Sequence, residues 1–349
     1  MDGVLQLVLL AASAAVAVGP MVGLLGVVWW LDRYTREPAW LFGLTFLWGG
    51  VGAVLLALLG NATLEGLVSW VTGVVDARSG ADLSWLPAVA SPTLVAPLVE
   101  EPAKALVLLY VLWNRHLDDR NDGFVYGAAS GLGFGMTENF LYFAQTSHDP
   151  GAWMQTVVIR TAWSALMHAM SCAIVGAAVA YGWFRGGWAA AASATAGLGL
   201  AMAVHALWNG LLTVGPLLGL GDAGMQIDLL LLPLEIAAVF LGFQFTLWQE
   251  GRTIQRELAE EVAAGRLPAG HPERIASWYA RWFTRDWLPP QVHPRRYLDT
   301  ATTLAIRKDQ VRRMGRRAPA FYRDDVDRLR AQLTRMLDRA TADGPPTAR

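Results

Sequence analysis

The sequence predicts an all-α membrane protein, a polytopic bundle of about seven transmembrane helices followed by a soluble helical tail. Three observations support this fold class. Hydrophobic residues make up 54% of the 349-residue chain and charged residues only 16%, whereas soluble proteins carry about 25% charged residues. The chain also contains 16 Trp. Its one Cys excludes an intrachain disulfide and a Cys-rich metal site.

Seven apolar runs are long enough to cross a bilayer as helices. They cover residues 3–31, 39–60, 92–113, 123–146, 161–184, 188–216 and 227–248. A shorter apolar stretch at 61–75 is interpreted as an interfacial or re-entrant segment. The first run lacks a preceding basic region and is too long for a signal peptide, so we expect it to be the first transmembrane helix.

Positive charges in short loops predict the orientation of the helices. The loops on one side contain Arg33, Arg36, Arg115, Arg120 and Arg185. This distribution predicts a multi-pass cell-membrane protein with its N-terminus outside and its C-terminal tail in the cytoplasm.

Two domains are expected, a membrane-embedded domain of residues 1–248, with its core at 92–215, and a tail of residues 249–349. The tail has a net charge of +7 and the rest of the chain −8. A basic, amphipathic helical tail predicts contact with anionic lipid. No nucleic-acid-binding motif is found, so we do not expect nucleic acid as a partner.

Polar side chains interrupt five of the apolar runs, where such residues are costly and tend to mark function. They are Glu100, Glu101, Lys104, Glu138, Asn139, His168, His205, Asn209 and Glu235. Counted along helices that alternate in direction, they fall about 10–16 Å below the outer surface. We therefore expect one polar cavity near the outer face.

These residue types suit hydrolysis of an amide bond by an activated water. Glu100 and Glu101 provide a general base, and the i,i+4 spacing predicts that Lys104 pairs with Glu100. Two histidines with a carboxylate, His168, His205 and Glu138, can hold either a zinc ion with an open position for water or the water itself.

The remaining polar residues are expected to support this chemistry. Asn209 lies one turn after His205 and can orient it or donate to a developing oxyanion. Asn139, Trp208 and Glu235 are interpreted as supporting or substrate-binding residues. The sequence contains no GxSxG and no HExxH motif, which disfavours serine-type and zincin chemistry. The Gly-rich run 127–135 predicts close helix packing rather than a phosphate-binding loop.

Four motifs occur in order along the chain, Glu100-Glu101-x-x-Lys104, Phe134-x-x-x-Glu138-Asn139, His168 and His205-x-x-Trp208-Asn209. Across residues 92–215 this pattern resembles the PrsW family of intramembrane proteases and, more distantly, the CAAX-type prenyl endopeptidases and bacteriocin-processing enzymes. The CAAX-type pattern has a His at the place of Glu138 and an Arg one residue beyond Lys104. These departures argue against prenyl-protein processing.

The resemblance implies an intramembrane endopeptidase that cuts membrane-anchored proteins near the outer face. It implies an anti-sigma factor as substrate, and the first cut of a regulated proteolysis cascade as the role. The family's glutamate pair falls on Glu100 and Glu101 and its histidines on His168 and His205. The resemblance leaves open whether the enzyme uses a metal, such as zinc, or is a glutamate protease without one.

Two other function classes stay open. Intramembrane Glu, Lys and His also serve as proton relays, so an ion- or proton-coupled transporter is the first alternative. Against it, the chain lacks the matched halves that transporters often show. A non-catalytic membrane scaffold whose basic tail binds a partner is the second alternative, but it leaves the layer of polar residues unexplained.

Overall fold

The protein is described here from a computed structural model that covers residues 3–219, 223–283 and 287–342. Within these ranges all regular secondary structure is helical, and the predicted all-α fold class is confirmed. The chain divides into two compact units. The first unit comprises Met1–Leu31, Glu37–Gly182 and Ala191–Gly242, and the second comprises Asp32–Arg36, Trp183–Ala190 and Phe243–Arg349. The domain boundary at residue 248 stays a prediction.

Seven long helical runs carry the apolar part of the sequence within the described ranges. They are α1 Gly3–Leu31, α2 Ala39–Ser79, α3 at 86–113, α4 Arg120–Thr146, α5 Pro150–Trp183, α6 Gly187–Leu217 and α7 Ala223–Ala263. Five of them, all except α3 and α4, are long and apolar enough to cross a membrane. Large apolar side chains such as Leu59 and Leu230 are exposed by 69% and 72%, as lipid-facing side chains are. These features support a polytopic membrane bundle.

The stretch 61–75 does not form a separate interfacial or re-entrant segment, and that interpretation was wrong. It continues α2 without a break to Ser79. The helix has 41 residues, which corresponds to about 60 Å and therefore about twice the hydrocarbon thickness of a bilayer. The apolar stretch 61–75 by itself is too short to cross a membrane, which is why the sequence indicates a separate segment. However, Asn61, the polar residue at its start, does not end the helix.

Three of the helices contain a π-helical turn, at Trp48–Ala53 in α2, at Ser91–Val95 in α3 and at Arg160–Ser164 in α5. In the turn of α3 the N–H of Ala96 donates to the carbonyl of Ser91. In this register the carbonyl of Pro92 would need the N–H of residue 97, which is a proline and has none. That carbonyl accepts a hydrogen bond from the side chain of Asn209 instead, at 2.8 Å. Such turns often occur at functional sites.

Helix α4 packs against its neighbours with backbone close to backbone. A Cβ on Gly123, Gly127 or Gly131 would lie between 2.1 and 2.3 Å from a carbonyl oxygen of α5. On the side of α2, a Cβ on Gly133 would lie 1.9 Å from a carbonyl oxygen. The predicted role of the Gly-rich run as close helix packing is confirmed. The carbonyl oxygen beside Gly131 belongs to His168. The close packing of α4 against α5 therefore fixes the position of the His168 backbone in the bundle.

The link between α1 and α2 ends in a buried acid, Glu37. Its carboxyl accepts a hydrogen bond from Tyr126 of α4. Burial raises the pKa of Glu37 to about 7, and the nearby charges of Asp118 and Asp119 act in the same direction. Glu37 therefore tends to stay protonated in the folded protein at a pH where the unfolded chain has lost this proton.

The second unit contains the C-terminal part of α7 and four further α-helices within the described ranges. They are α8 His271–Ala276, α9 Trp278–Phe283, α10 Pro294–Met314 and α11 Ala320–Ala342. Its apolar core includes Ile254, Leu258, Leu304 and Leu333. The tail is helical as predicted.

Buried acids of α7 lie beside this apolar core. Glu257 accepts from Arg312 at 2.9 Å, and Glu261 accepts from Lys308 at 2.8 Å and from Arg330 at 2.9 Å. Pairing of this kind is what allows carboxylates to be buried.

We expect the stability of the protein to fall as the pH rises from about 4.5 to about 7, and Glu37→Gln to reduce this dependence. The carboxyl has a pKa near 4.5 in the unfolded chain and about 7 in the folded one, so the folded state holds an extra proton between these values. The glutamine keeps an acceptor for Tyr126 and does not ionise. The melting temperature in detergent at several pH values is the measurement, with Glu65→Gln as control. Equal pH dependence in wild type and Glu37→Gln would contradict the assignment.

We also expect Gly133→Ala to lower the melting temperature, because its methyl group would collide with the backbone of α2. Overpacking of this kind costs about 1–3 kcal/mol. The matched control is Gly66→Ala in α2, where a Cβ meets no atom within 4 Å and alanine favours the helix. Thermal unfolding in detergent compares the two variants. If both behave alike, close packing of α4 is not what limits stability.

Candidate functional site

Six ionisable side chains from four consecutive helices contact one another inside the first unit. Glu100, Glu101 and Lys104 come from α3, Glu138 from α4, His168 from α5 and His205 from α6. We call these six residues the polar cluster. The positions of such residues in the apolar runs predict one shared cavity, and the structure brings these six together.

Lys104 pairs with Glu101 and not with Glu100, so the predicted pair was wrong. Lys104 Nζ lies 2.6 Å from Glu101 Oε1, and neither side chain is exposed. Residues three apart share a helix face as well as residues four apart, and neighbouring helices decide between them. Glu100 accepts a hydrogen bond from Asn61 of α2 at 3.1 Å.

His205 contacts both glutamates of α3. Its Nδ1 lies 2.7 Å from Glu101 Oε1, and its Nε2 lies 3.8 Å from Glu100 Oε2. A carboxylate only accepts, so it fixes the proton on Nδ1 of a neutral ring. The lone pair on Nε2 is then directed to the side of Glu100.

His168 lies between Lys104 and Glu138. Its Nδ1 is 3.1 Å from Lys104 Nζ, and its Nε2 is 2.6 Å from Glu138 Oε2. An ammonium group only donates, so Nδ1 accepts from Lys104 and the ring proton resides on Nε2, which donates to Glu138. Phe134 covers this group, with ring centroids 5.2 Å from His168 and 4.9 Å from Lys104 Nζ.

Two residues of the site were missed by the sequence analysis, Arg160 and Asn61. Arg160 donates to Glu138 Oε2 at 2.5 Å and to Asn139 Oδ1 at 3.1 Å, and it stacks on Tyr142. Arg160 directly precedes the apolar run 161–184, and a charge in that position indicates a loop. One signal in the sequence could have identified Arg160. It is a basic residue at the start of the apolar run that contains His168, and the preceding run contains the acid Glu138.

Four predicted site residues are not members of the polar cluster. Asn209 donates to the carbonyl of Pro92 in α3, as described above. Trp208 packs in an apolar cluster with Met167 and Leu232. Glu235 is partly buried, and within the described residues no hydrogen bond or ion pair connects it with the polar cluster. Asn139 reaches the cluster through Arg160.

Three of the six side chains offer a donor set for a metal ion. One ligand atom each of Glu100, His168 and His205 lies within 4.8 Å of the other two. Glu100 Oε2 is buried and has no hydrogen-bond partner within the described structure. Two imidazoles and a carboxylate are ligands of many catalytic zinc sites, so the residues fit a metal by donor type.

The metal-ligand set differs in one residue from the predicted one. Glu138 was expected as the carboxylate ligand, but it is engaged with Arg160 and His168, whereas Glu100 has an open oxygen. To bind a metal through Nε2, His168 must give up its hydrogen bond to Glu138 and carry its ring proton on Nδ1 instead. Lys104 would then have to turn away from the ring, because two donors would face each other.

Comparison with protein families matches residues 37–241 to the PrsW family of intramembrane metalloproteases. This match covers more than half of the chain and includes the whole polar cluster.

Among curated proteins, the chain is similar to "Protease PrsW" of Clostridioides difficile (strain 630), with 33% identity over 129 residues. The aligned part is 36% of this chain and 49% of that protein, so the chain spans about half the length of the curated relative that it matches. No solved structure matches. The family match agrees with the four motifs and with the cluster that they form. The chain belongs to the PrsW family of intramembrane metalloproteases.

Proposed function

We propose that this protein is an intramembrane endopeptidase that hydrolyses peptide bonds of membrane-anchored proteins near the outer face of the membrane. The observation that carries the proposal is the polar cluster. In it, a buried oxygen of Glu100 that has no hydrogen-bond partner among the described residues lies 3.8 Å from Nε2 of His205. A membrane-anchored anti-sigma factor is the proposed substrate, on the basis of the family resemblance.

Without a bound metal, Glu100 is the proposed general base. Both glutamates of α3 have an oxygen without a hydrogen-bond partner in the described structure. However, the Glu101 side chain has no exposure and its other oxygen is held by Lys104 and His205. The Glu100 side chain is 9% exposed, so a water can approach it more easily. A carboxylate in this position can take the proton from an attacking water.

The other residues of the cluster have separate proposed roles. Glu101 and Lys104 orient the two histidines, and Glu138 holds His168 together with Arg160. Without a bound metal, the Nε2–H of His168 and the guanidinium of Arg160 are donors that can stabilise the oxyanion of a tetrahedral intermediate. Asn209 stabilises the π-helical turn of α3 that precedes Glu100, because it donates a hydrogen bond to the carbonyl of Pro92.

We propose zinc as the metal of the site, held by Glu100, His168 and His205. A bound zinc ion would polarise the scissile carbonyl and activate a water. In that state Glu101 would orient His205 from behind, as carboxylates often do for metal-bound histidines, and its unpartnered oxygen would make it the second candidate for the base.

The proposed topology has the N-terminus outside and the tail in the cytoplasm. Residues 32–36 and 183–190, which include the arginines of two short loops, belong to the same compact unit as residues 243–349. This grouping supports the placement of both loops and the tail on one side of the membrane. We further propose that the tail contacts anionic lipid and that nucleic acid is not a partner.

We expect Glu100→Gln to reduce proteolysis by at least about 100-fold, which is a typical contribution of a general base. His205→Ala is expected to have a similar effect, because it removes the nitrogen that faces Glu100. The measurement is cleavage of single-span, anti-sigma-factor-like substrates in liposomes, followed by mass spectrometry of the products. Glu65→Gln, which removes a carboxyl from α2 outside the cluster, is expected to keep the wild-type rate.

Full activity in Glu100→Gln would remove this residue as the base. If no substrate is cut by the wild type while proton flux across the liposomes depends on Glu100, the transporter alternative would replace the proposal. A scaffold would tolerate all of these substitutions.

We expect the purified protein to hold about one zinc ion per chain, as one set of three ligands implies, and His168→Ala/His205→Ala to lose it. Plasma mass spectrometry of protein in detergent measures the metal content, and a chelator should abolish activity until zinc is restored. A metal-free preparation with full activity would contradict the zinc assignment. That result would indicate a glutamate protease in which Glu100 and Glu101 are the candidate bases.

A further inference from the structure

Asn61 of α2 joins the site but has no role in the reaction proposed above. The leucines around it on the helix, Leu55, Leu58 and Leu59, are exposed, as lipid-facing side chains are. A polar side chain in such an apolar setting is costly and tends to mark function. Asn61 turns into the bundle instead and donates to Glu100 Oε1 at 3.1 Å, which connects it with the polar cluster.

Close packing of α2 against α3 holds Asn61 beside Glu100. A Cβ on Gly60 would lie 2.5 Å from Cγ1 of Val99, so the two helices approach each other closely at this point. Gly60 directly precedes Asn61, and Val99 directly precedes Glu100. The packing contact and the hydrogen bond therefore adjoin each other along both helices, and together they fix the position of the Asn61 side chain.

The hydrogen bond to Glu100 also fixes the direction of the Asn61 amide. A carboxylate only accepts hydrogen bonds, so the NH2 group of Asn61 faces Glu100 and its oxygen, Oδ1, faces elsewhere. Asn61 Oδ1 is buried and has no hydrogen-bond partner among the residues that the structure describes. Proteins rarely leave a buried polar atom in this condition, because it costs free energy.

The unpartnered atoms of the site are all acceptors. Within the described ranges, the polar cluster and Asn61 have three buried side-chain atoms without a partner, which are Asn61 Oδ1, Glu100 Oε2 and Glu101 Oε2. A carboxylate oxygen can take a proton from water. An amide oxygen is too weak a base for that role, but it accepts hydrogen bonds from N–H groups. The group that Asn61 Oδ1 binds is therefore a donor.

A membrane-anchored substrate provides such donors when its helix opens. In an α-helix each backbone N–H is bonded to the carbonyl four residues earlier. Hydrolysis of a peptide bond requires that the residues around it leave the helix, which frees their N–H groups. A free N–H is costly where no water can bind it, so the enzyme has to provide acceptors for the opened backbone.

We propose that Asn61 is a substrate-binding residue whose Oδ1 accepts a backbone N–H of the peptide segment that is cleaved. The proposal rests on the proposed proteolysis and adds a group that holds the opened backbone. The hydrogen bond of 3.1 Å to Glu100 places Asn61 Oδ1 no more than about 8 Å from Glu100 Oε2. Residues of an extended chain advance by about 3.3 Å each. The accepted N–H is therefore expected within about three residues of the cleaved bond.

The test replaces single N–H groups of the substrate by oxygen. A synthetic single-span peptide is cut by the wild type in liposomes of phosphatidylcholine and phosphatidylglycerol, and mass spectrometry identifies the cleaved bond. A set of peptides then carries one backbone ester each, at the positions within about three residues of that bond, with the cleaved amide left intact. An ester at a distant position of the same segment is the control peptide.

Each peptide is assayed with wild type, Asn61→Leu and Thr63→Val, and kcat/KM is measured. Thr63→Val is the matched control variant, because Thr63 is exposed, lies two residues from Asn61 on α2 and donates to the carbonyl of Leu59 in its own helix. Melting temperatures in detergent show whether each variant is folded, and Asn61→Ala is the second variant at this position.

We expect one ester position at which kcat/KM of the wild type falls by about tenfold, since a buried acceptor loses its donor. In Asn61→Leu the same ester should change kcat/KM less than about twofold, because the interaction is already absent. Thr63→Val should show the wild-type pattern. This coupling between one N–H of the substrate and Asn61 is not expected if Asn61 only orients Glu100.

An ester effect of equal size in wild type and Asn61→Leu would overturn the proposal and would leave Asn61 as a residue that positions Glu100. The absence of any sensitive position in the wild type would overturn it as well, and that result needs no variant. If the wild type cuts no peptide, the proposed proteolysis fails and this role fails with it. Cleavage without a coupled ester overturns the role of Asn61 alone.

Discussion

The buried ion pair between Glu101 and Lys104 is the interaction on which the rest of the site depends. Burying two charges is costly unless each finds further partners. Glu101 accepts from His205 as well as from Lys104, and Lys104 donates to His168 as well as to Glu101. One pair on α3 therefore sets the orientation of the histidines on α5 and α6. The same pair leaves Glu100, the neighbouring residue, available for chemistry.

The close packing of α4 makes this arrangement possible. Small residues let the backbones of α4 and α5 approach each other, and the carbonyl of His168 lies against Gly131. The approach brings Glu138 within 2.6 Å of the His168 ring. The neighbouring residue of Gly131 in α4, Ser130, donates through its hydroxyl to the carbonyl of Lys104 at 2.9 Å. Helix α4 thus aligns the two helices that carry the ion pair and His168.

Side chains also satisfy backbone carbonyls in a π-helical turn of α3 and in the second unit. The π-helical turn at Ser91–Val95 leaves the carbonyl of Pro92 without a helical partner, and Asn209 donates to it. A polar residue of the family motif therefore holds the backbone about two turns before the glutamates. In the second unit, a buried arginine holds the link between α1 and α2. Both cases use a side chain to satisfy a backbone group that a helix or a loop leaves open.

The sequence by itself determined that the chain is helical and membrane-embedded, which residues are polar within the apolar runs, and to which family they belong. These features follow from composition, run length and motif order, which are local properties. Only the tertiary structure decided that Lys104 pairs with Glu101, that Arg160 and Asn61 join the site, and that Trp208 packs among apolar side chains. In a helix, residues three and four positions away from Lys104 are both close enough to pair with it. The choice between them depends on which side chains the neighbouring helices present, and that is set by the packing of the whole bundle.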